Sequence, residues 1–116
     1  MNVKRASILT IAAMLLTGAA MAQAAPADVQ GGQALAFDRG KGNCLACHTM
    51  VGGDVPSSVG PELVGMKDRF PVRADLVAVV TNEQQRNPQT AMPPFGLNRI
   101  LTAAEIEKIV DFLYSL

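Results

Sequence analysis

The feature that most constrains this chain is the segment KGNCLACHTM, residues 41 to 50. It holds the only two cysteines and the only histidine of the 116 residues: Cys44, Cys47 and His48. Their spacing, C-x-x-C-H, is typical of covalent haem attachment. In that chemistry each cysteine adds to one vinyl group of the haem, and the adjacent histidine places a ring nitrogen against the iron. The sequence therefore predicts one covalent haem c on the two cysteines, with His48 as an axial ligand of the iron.

Other chemistries of these three residues are less well supported. A structural zinc site usually has four Cys or His ligands, and the chain has only three of these side chains. A disulfide within C-x-x-C is possible in an exported protein and needs no histidine. Thioredoxin-like thiol exchange requires a βαβ context, which the helical pattern of the chain does not provide. A disulfide or zinc module without haem is the alternative interpretation of the motif.

The N-terminal segment has the pattern of a secretory signal. Lys4 and Arg5 precede an apolar run over residues 6–22, and small residues at A-x-A sites end it. The run is short and weakly hydrophobic for a membrane span of about 20 residues, which disfavours an uncleaved anchor. We predict that residues 1–24 are a removed signal peptide and that residues 25–116 form one periplasmic domain without stable membrane insertion. This mature domain is mildly acidic and has no basic patch, which argues against nucleic-acid binding.

Two predicted helices bracket a loop-rich middle. The first covers residues 28 to about 39, with Val29, Leu35, Ala36 and Phe37 as candidates for its buried face. The second lies in LTAAEIEKIVDFLYSL, residues 101–116. There a T-x-x-E capping box is followed by apolar residues at i, i+3, i+4 and i+7, which are Ile106, Ile109, Val110 and Leu113. Residues 74–80 are apolar throughout and fit either a short helix or a strand.

The second axial ligand can be sought by elimination. No other histidine exists, and Lys and Tyr are rarer ligands, which leaves methionine. Met50 is two residues from His48 and cannot reach the opposite face of a planar ring. Met66 lies among apolar neighbours and fits a place in the core. Met92 is followed by two prolines that stiffen its loop, and a stiff loop suits a ligand held against iron. We predict Met92 as the second ligand.

At this point the chain resembles a class I cytochrome c over nearly all of its mature length. A helix precedes C-x-x-C-H, GPEL follows with its proline thirteen residues after His48, and Met-Pro and an amphipathic C-terminal helix come after it. The resemblance implies an all-α fold, a small domain wrapped around one covalent haem. It also implies that Pro61 presents its carbonyl oxygen to the second ring nitrogen of His48. The first helix should cross the last through a small residue and aromatics, for which Gly32, Phe37 and Phe112 or Tyr114 are candidates.

Within that class, the combination of GNCLACH, GPEL, TAMPPFG and the last helix is similar to the SoxX family. This resemblance implies a periplasmic heterodimer with a larger SoxA-like cytochrome subunit. Such a complex has L-cysteine S-thiosulfotransferase-type activity, in which thiosulfate is oxidatively coupled to a cysteine of a carrier protein. The SoxX subunit receives the electrons and passes them to a downstream acceptor.

The residues limit what this chain itself can do. Joining sulfur to a thiol requires a reactive cysteine near the reaction, and haem attachment would use both cysteines. We therefore expect an electron-transfer subunit with no catalytic residues of its own, and catalysis on the partner. The alternative function is a free-standing periplasmic monohaem cytochrome c that shuttles electrons.

Overall fold

The computed structural model describes residues 26–116, and this part of the chain is helical. The predicted signal peptide, residues 1–24, lies outside it. The α-helices are α1 (Val29–Phe37), α2 (Met66–Arg69), α3 (Arg73–Asn82) and α4 (Ala103–Leu113), and short 3₁₀ helices occur at Cys44–Ala46 and Glu83–Gln85. Within residues 26–116 there is no β-strand. None of the helices described there combines the length and the apolar character that crossing a membrane would require.

Helix α4 forms for the reason the sequence indicates. The Thr102 hydroxyl accepts a hydrogen bond from the backbone N–H of Glu105 at 3.2 Å, and the Glu105 carboxylate accepts one from the N–H of Thr102 at 2.8 Å. This is the predicted capping box, which satisfies two N–H groups at the start of the helix. The predicted apolar face is also confirmed, since Ile106, Ile109, Val110 and Leu113 are all at most 4% exposed.

Helix α1 is shorter than predicted and presents a partly different face to the core. The Asp28 carboxylate accepts a hydrogen bond from the N–H of Gly31 at 2.9 Å and caps the helix. The helix ends at Phe37, because Asp38 is already extended with ψ of 119°. Ala36 is fully buried, but Val29 is 37% exposed. Its prediction as a buried residue is wrong, because as the first residue of α1 it lies beyond the crossing with α4, which is at Gly32.

The two terminal helices cross at Gly32. A Cβ atom at this position would lie 1.9 Å from the carbonyl oxygen of Lys108 in α4. Near the other end of α1, the Phe37 and Phe112 rings meet edge to face with centroids 5.7 Å apart. Tyr114 has a different place, since its hydroxyl donates to the carbonyl oxygen of Phe70 at 2.5 Å. Of the two candidates in α4 and its end, Phe112 is thus the aromatic partner of Phe37.

Replacing Gly32 by alanine is expected to destabilise the protein. A mid-helix Gly-to-Ala change ordinarily stabilises a helix by up to about 1 kcal/mol. Here the new methyl group would collide with the backbone of α4, and we expect a net loss of about 1–3 kcal/mol in the free energy of unfolding. Urea unfolding, monitored by circular dichroism, measures this change in the free energy of unfolding. Gly40→Ala is the matched control, because its Cβ would approach only the flexible Asp38 side chain, at 3.3 Å. Equal stability of the two variants would contradict the close crossing.

The segment that fits either a helix or a strand from sequence is helical. Helix α3 spans it, with Leu76 and Val80 buried at 1% and 4% exposure. The Arg73 guanidinium at its start binds the side chains of Glu107 and Asp111 in α4. Helix α3 is therefore fixed against α4 by an apolar face and a surface ion-pair cluster. Together α3 and α4 form one wall of a cavity, and α2, the short 3₁₀ helices and loops form the others.

Candidate cofactor site

The C-x-x-C-H segment is positioned by a tight turn at the end of α1. The N–H of Gly42 donates to the carbonyl oxygen of Leu35 at 3.0 Å, and the N–H of Asn43 donates to that of Asp38 at 2.9 Å. Asn43 has the left-handed φ of 47°, which asparagine tolerates better than most residues. These bonds bring residue 44 back alongside α1.

An ion pair also connects this turn to α4. The Lys41 ammonium lies 2.7 Å from the Glu105 carboxylate, which holds the pKa of Glu105 below its ordinary value. Both groups are partly exposed, so the pair adds little stability on its own. The pair holds the turn that precedes Cys44 against the start of α4.

Cys44 begins a single turn of 3₁₀ helix, and Cys47 caps its C-terminal end. The N–H groups of Cys47 and His48 both donate to the carbonyl oxygen of Cys44, at 3.1 and 2.9 Å. Both thiols are free, so this structure contains no disulfide between them. Burial raises the pKa of Cys44 to about 11. This thiol is therefore protonated at neutral pH, unlike the low-pKa thiolates that act as catalytic nucleophiles.

The His48 ring is held from two sides. Its Nδ1 lies 2.6 Å from the carbonyl oxygen of Pro61. A Cβ atom on Gly60 would lie 2.4 Å from Cε1 of the ring, so only glycine fits beneath the imidazole. Because Nδ1 is engaged by a carbonyl oxygen, it carries the proton and leaves Nε2 free to bind a metal. The sequence pattern does not identify Gly60 as part of the site, because a glycine directly before Pro61 is equally typical of an ordinary turn.

A compact loop carries the Gly60-Pro61 pair to the histidine. The loop closes where the N–H of Leu63 donates to the carbonyl oxygen of Thr49 at 2.9 Å. Inside it, the Thr49 hydroxyl donates to the carbonyl oxygen of Ser57 and accepts from the N–H of Ser57, at 2.9 and 2.8 Å. The position of the ring therefore depends on contacts made by the following fifteen residues.

The candidate site residues converge on one cavity of about 870 Å³. Its walls include Cys44, Cys47, His48, Pro61 and Met92, together with buried side chains of α3 and α4. The volume lies in the range of pockets that enclose a small organic cofactor. Within residues 26–116, no three His, Cys, Asp or Glu side chains form a cluster that could hold a metal ion. Two thiols, an oriented imidazole and a thioether around one large cavity fit a haem.

Two methionines line this cavity, and their surroundings differ. Met66 is 2% exposed and belongs to the core, and its Sδ lies 3.2 Å from Nη1 of Arg69, an N–H donor. Met92 is half-buried, and its N–H donates to the Thr90 hydroxyl at 3.1 Å. Met50 is buried in the core and is not part of the cavity wall. The Met92 sulfur has no hydrogen-bond donor in the described part of the chain, which makes it the better candidate ligand.

Comparisons with known proteins agree with this geometry. A protein-family model described as cytochrome c oxidase, cbb3-type, subunit III, matches residues 27–113. A solved structure described as the crystal structure of SoxXA from P. pantotrophus is similar with a TM-score of 0.69 and 28% sequence identity, covering 78% of this chain and 82% of that one. A search of curated proteins gave no significant match. The predicted all-α cytochrome c fold and the likeness to SoxX are confirmed, and the family implies haem c as cofactor. The chain therefore belongs to the family of cytochrome c oxidase, cbb3-type, subunit III, as a small SoxX-like cytochrome.

Proposed function

We propose that this chain is the electron-accepting haem c subunit of a periplasmic, thiosulfate-oxidising complex of the SoxXA type. The observation that carries the proposal is its 28% identity to a chain of the SoxXA structure over 78% of its length. The partner is then a larger SoxA-like cytochrome subunit. The haem supplies reversible one-electron transfer when bound.

Each site residue has a separate part in holding that cofactor. Cys44 and Cys47 would attach it through thioether bonds, and His48 and Met92 would supply the two protein ligands of its iron. The Pro61 carbonyl oxygen, 2.6 Å from Nδ1, keeps the imidazole in one orientation and one tautomer. The thioether of Met92 favours the reduced metal and raises the reduction potential, which suits an electron acceptor.

The same arrangement argues against sulfur chemistry on this chain. Coupling thiosulfate to a thiol forms an S–S bond and releases one proton and two electrons. With both cysteines in thioethers, no thiol would be left to react, and His48 and Met92 would both be engaged as ligands. The chain can then only take up the electrons, one at a time, and pass them on. Catalysis belongs to the partner.

Exposed apolar side chains favour a stable partner over a transient one. Four valines are largely exposed: Val51, Val55, Val59 and Val64, at 76, 67, 69 and 54%. The first three lie on the compact loop that carries Gly60 and Pro61 to the histidine. Between residues 55 and 61 the sequence has no charged residue. Obligate interfaces are apolar and poor in charge, whereas transient electron carriers use charge to steer encounters.

Turnover with and without the partner tests the proposal. The purified mature chain, incubated with thiosulfate and a thiol-bearing carrier protein, is expected to give no thiosulfonated carrier by mass spectrometry. Addition of a SoxA-like subunit should give product and reduce the haem of this chain. The two chains should also co-elute in size-exclusion chromatography, and aspartate at Val51 and Val55, which are exposed and do not line the cavity, should weaken this association. Turnover by the chain alone would contradict the proposal. Failure to bind the partner, with fast electron exchange to an oxidase, would identify the free shuttle instead.

A further inference from the structure

A buried carboxylate, paired with an exposed arginine, lies in the wall of the cofactor cavity. Glu83 is 7% exposed and is the one charged residue that is buried among residues 26–116. Its carboxylate accepts three hydrogen bonds from Arg86, two from Nε at 3.2 Å and one from Nη2 at 2.8 Å. Both residues line the same cavity as His48 and Met92. A carboxylate is expensive to bury, so its position calls for an explanation beyond packing.

The position of the pair is fixed by its surroundings. The Arg86 guanidinium lies 5.5 Å from the centroid of the Phe70 ring, in cation–π contact. The carbonyl oxygen of Phe70 in turn accepts the hydroxyl of Tyr114. The backbone of Glu83 is held independently, since its carbonyl oxygen accepts the N–H groups of Arg86 and Asn87 at 3.0 and 2.8 Å. Removing either side-chain charge therefore leaves the backbone bonds of this turn in place.

The two charges of the pair are unequally screened. The side chain of Glu83 is 10% exposed, whereas that of Arg86 is 63% exposed. A charge in contact with water is weakened by solvent, and a buried one acts over a longer distance. The field that reaches the cavity from this pair is therefore negative on balance, and the guanidinium moderates it.

We propose that the Glu83–Arg86 pair sets the reduction potential of the bound haem. The inference rests on the proposed function, because it requires a redox-active group in the cavity. The buried carboxylate stabilises the oxidised, more positive iron and lowers the potential. The guanidinium offsets part of that effect and raises it. Neither residue is one of the candidate iron ligands, so both would act on a bound haem through the electric field.

Substitutions of opposite charge test this directly. In the holoprotein, Glu83→Gln should raise the reduction potential and Arg86→Gln should lower it. The expected change is roughly three- to tenfold in the ratio of reduced to oxidised haem at a fixed ambient potential. The double variant should lie between the wild-type protein and Glu83→Gln, because the pair as a whole contributes a small net negative field. Potentiometric titration followed by the visible absorption of the haem measures all of these. Glu107→Gln is the matched control, because Glu107 also pairs with an arginine but does not line this cavity, and its shift should be small.

The outcomes separate this inference from the proposed function. Shifts of the same sign in the two single variants, or no shift, would overturn the role of the pair. If Glu83→Gln does not fold, the potential of Arg86→Gln tests the inference by itself, and it should be lower than that of the wild type. This variant should fold, because the Arg86 side chain is largely exposed. The near-infrared band of sulfur-to-iron ligation, unchanged in each variant, shows that the ligands are intact. A wild-type protein without haem, or without reversible reduction, would instead refute the proposed function.

Discussion

Replacement of both Cys44 and Cys47 by alanine is expected to abolish covalent haem in this protein. The thioether bonds require both sulfur atoms, which the structure places on one turn at the edge of a cavity of about 870 Å³. Wild-type haem should survive acid–acetone extraction and denaturing electrophoresis, and the double variant should lose it in both. Each single variant should mature poorly, with at most one bond to haem. Haem staining of the gel and the mass of the purified chain measure the result.

The control for this experiment lies between the two cysteines. Ala46 is exposed, so Ala46→Ser keeps C-x-x-C-H and should retain the haem. The cysteine variants should also be less stable, because the buried residues of α3 and α4 face the cavity and would be left exposed to solvent. Haem that extracts cleanly from the wild-type protein would refute thioether attachment and favour the disulfide or zinc interpretation of the motif.

The parts of the fold that could be predicted are those with local signals. Helix α4 is predicted by two signals from its own residues, a capping box and a helical spacing of apolar residues. Both are present in the folded protein, where the apolar residues are buried. The end of α1 could not be placed because it is set by the turn at residues 38–43, whose bonds return to Asp38 and Leu35. The contact of Gly32 with Lys108 joins residues that are far apart in sequence. No local sequence pattern indicates which residues of α1 and α4 are in contact.

The same distinction applies to the site. A short motif identifies Cys44, Cys47 and His48, because the cofactor requires those residue types at that spacing. The features that shape their surroundings come from distant segments: Gly60 beneath the imidazole, and Glu83 in the cavity wall. In sequence, Glu83 is one more polar residue in TNEQQRN. Its burial, which gives its charge an effect, depends on how α3 and the following loop pack.

Replacement of Met92 by alanine is expected to remove the weak near-infrared charge-transfer band of the oxidised protein and to lower its reduction potential. The thioether stabilises the reduced iron, so its loss favours the oxidised state. The loop should stay in place, because Pro94 and Phe95 are buried beyond it and the backbone of residue 92 is held by Thr90. Spectroscopy and potentiometry of the same sample measure the two effects.

Met66→Ala is the matched comparison, since Met66 lines the same cavity. Its sulfur is engaged by Arg69 at 3.2 Å and its side chain is 2% exposed, so its loss should leave a void in the core. We expect this variant to keep the band and to lose about 2–5 kcal/mol of unfolding free energy. A band that persists without Met92 and vanishes without Met66 would assign the ligand to Met66. The Arg69 contact would then have to break when the iron binds, and Met92 would be a packing residue of the loop.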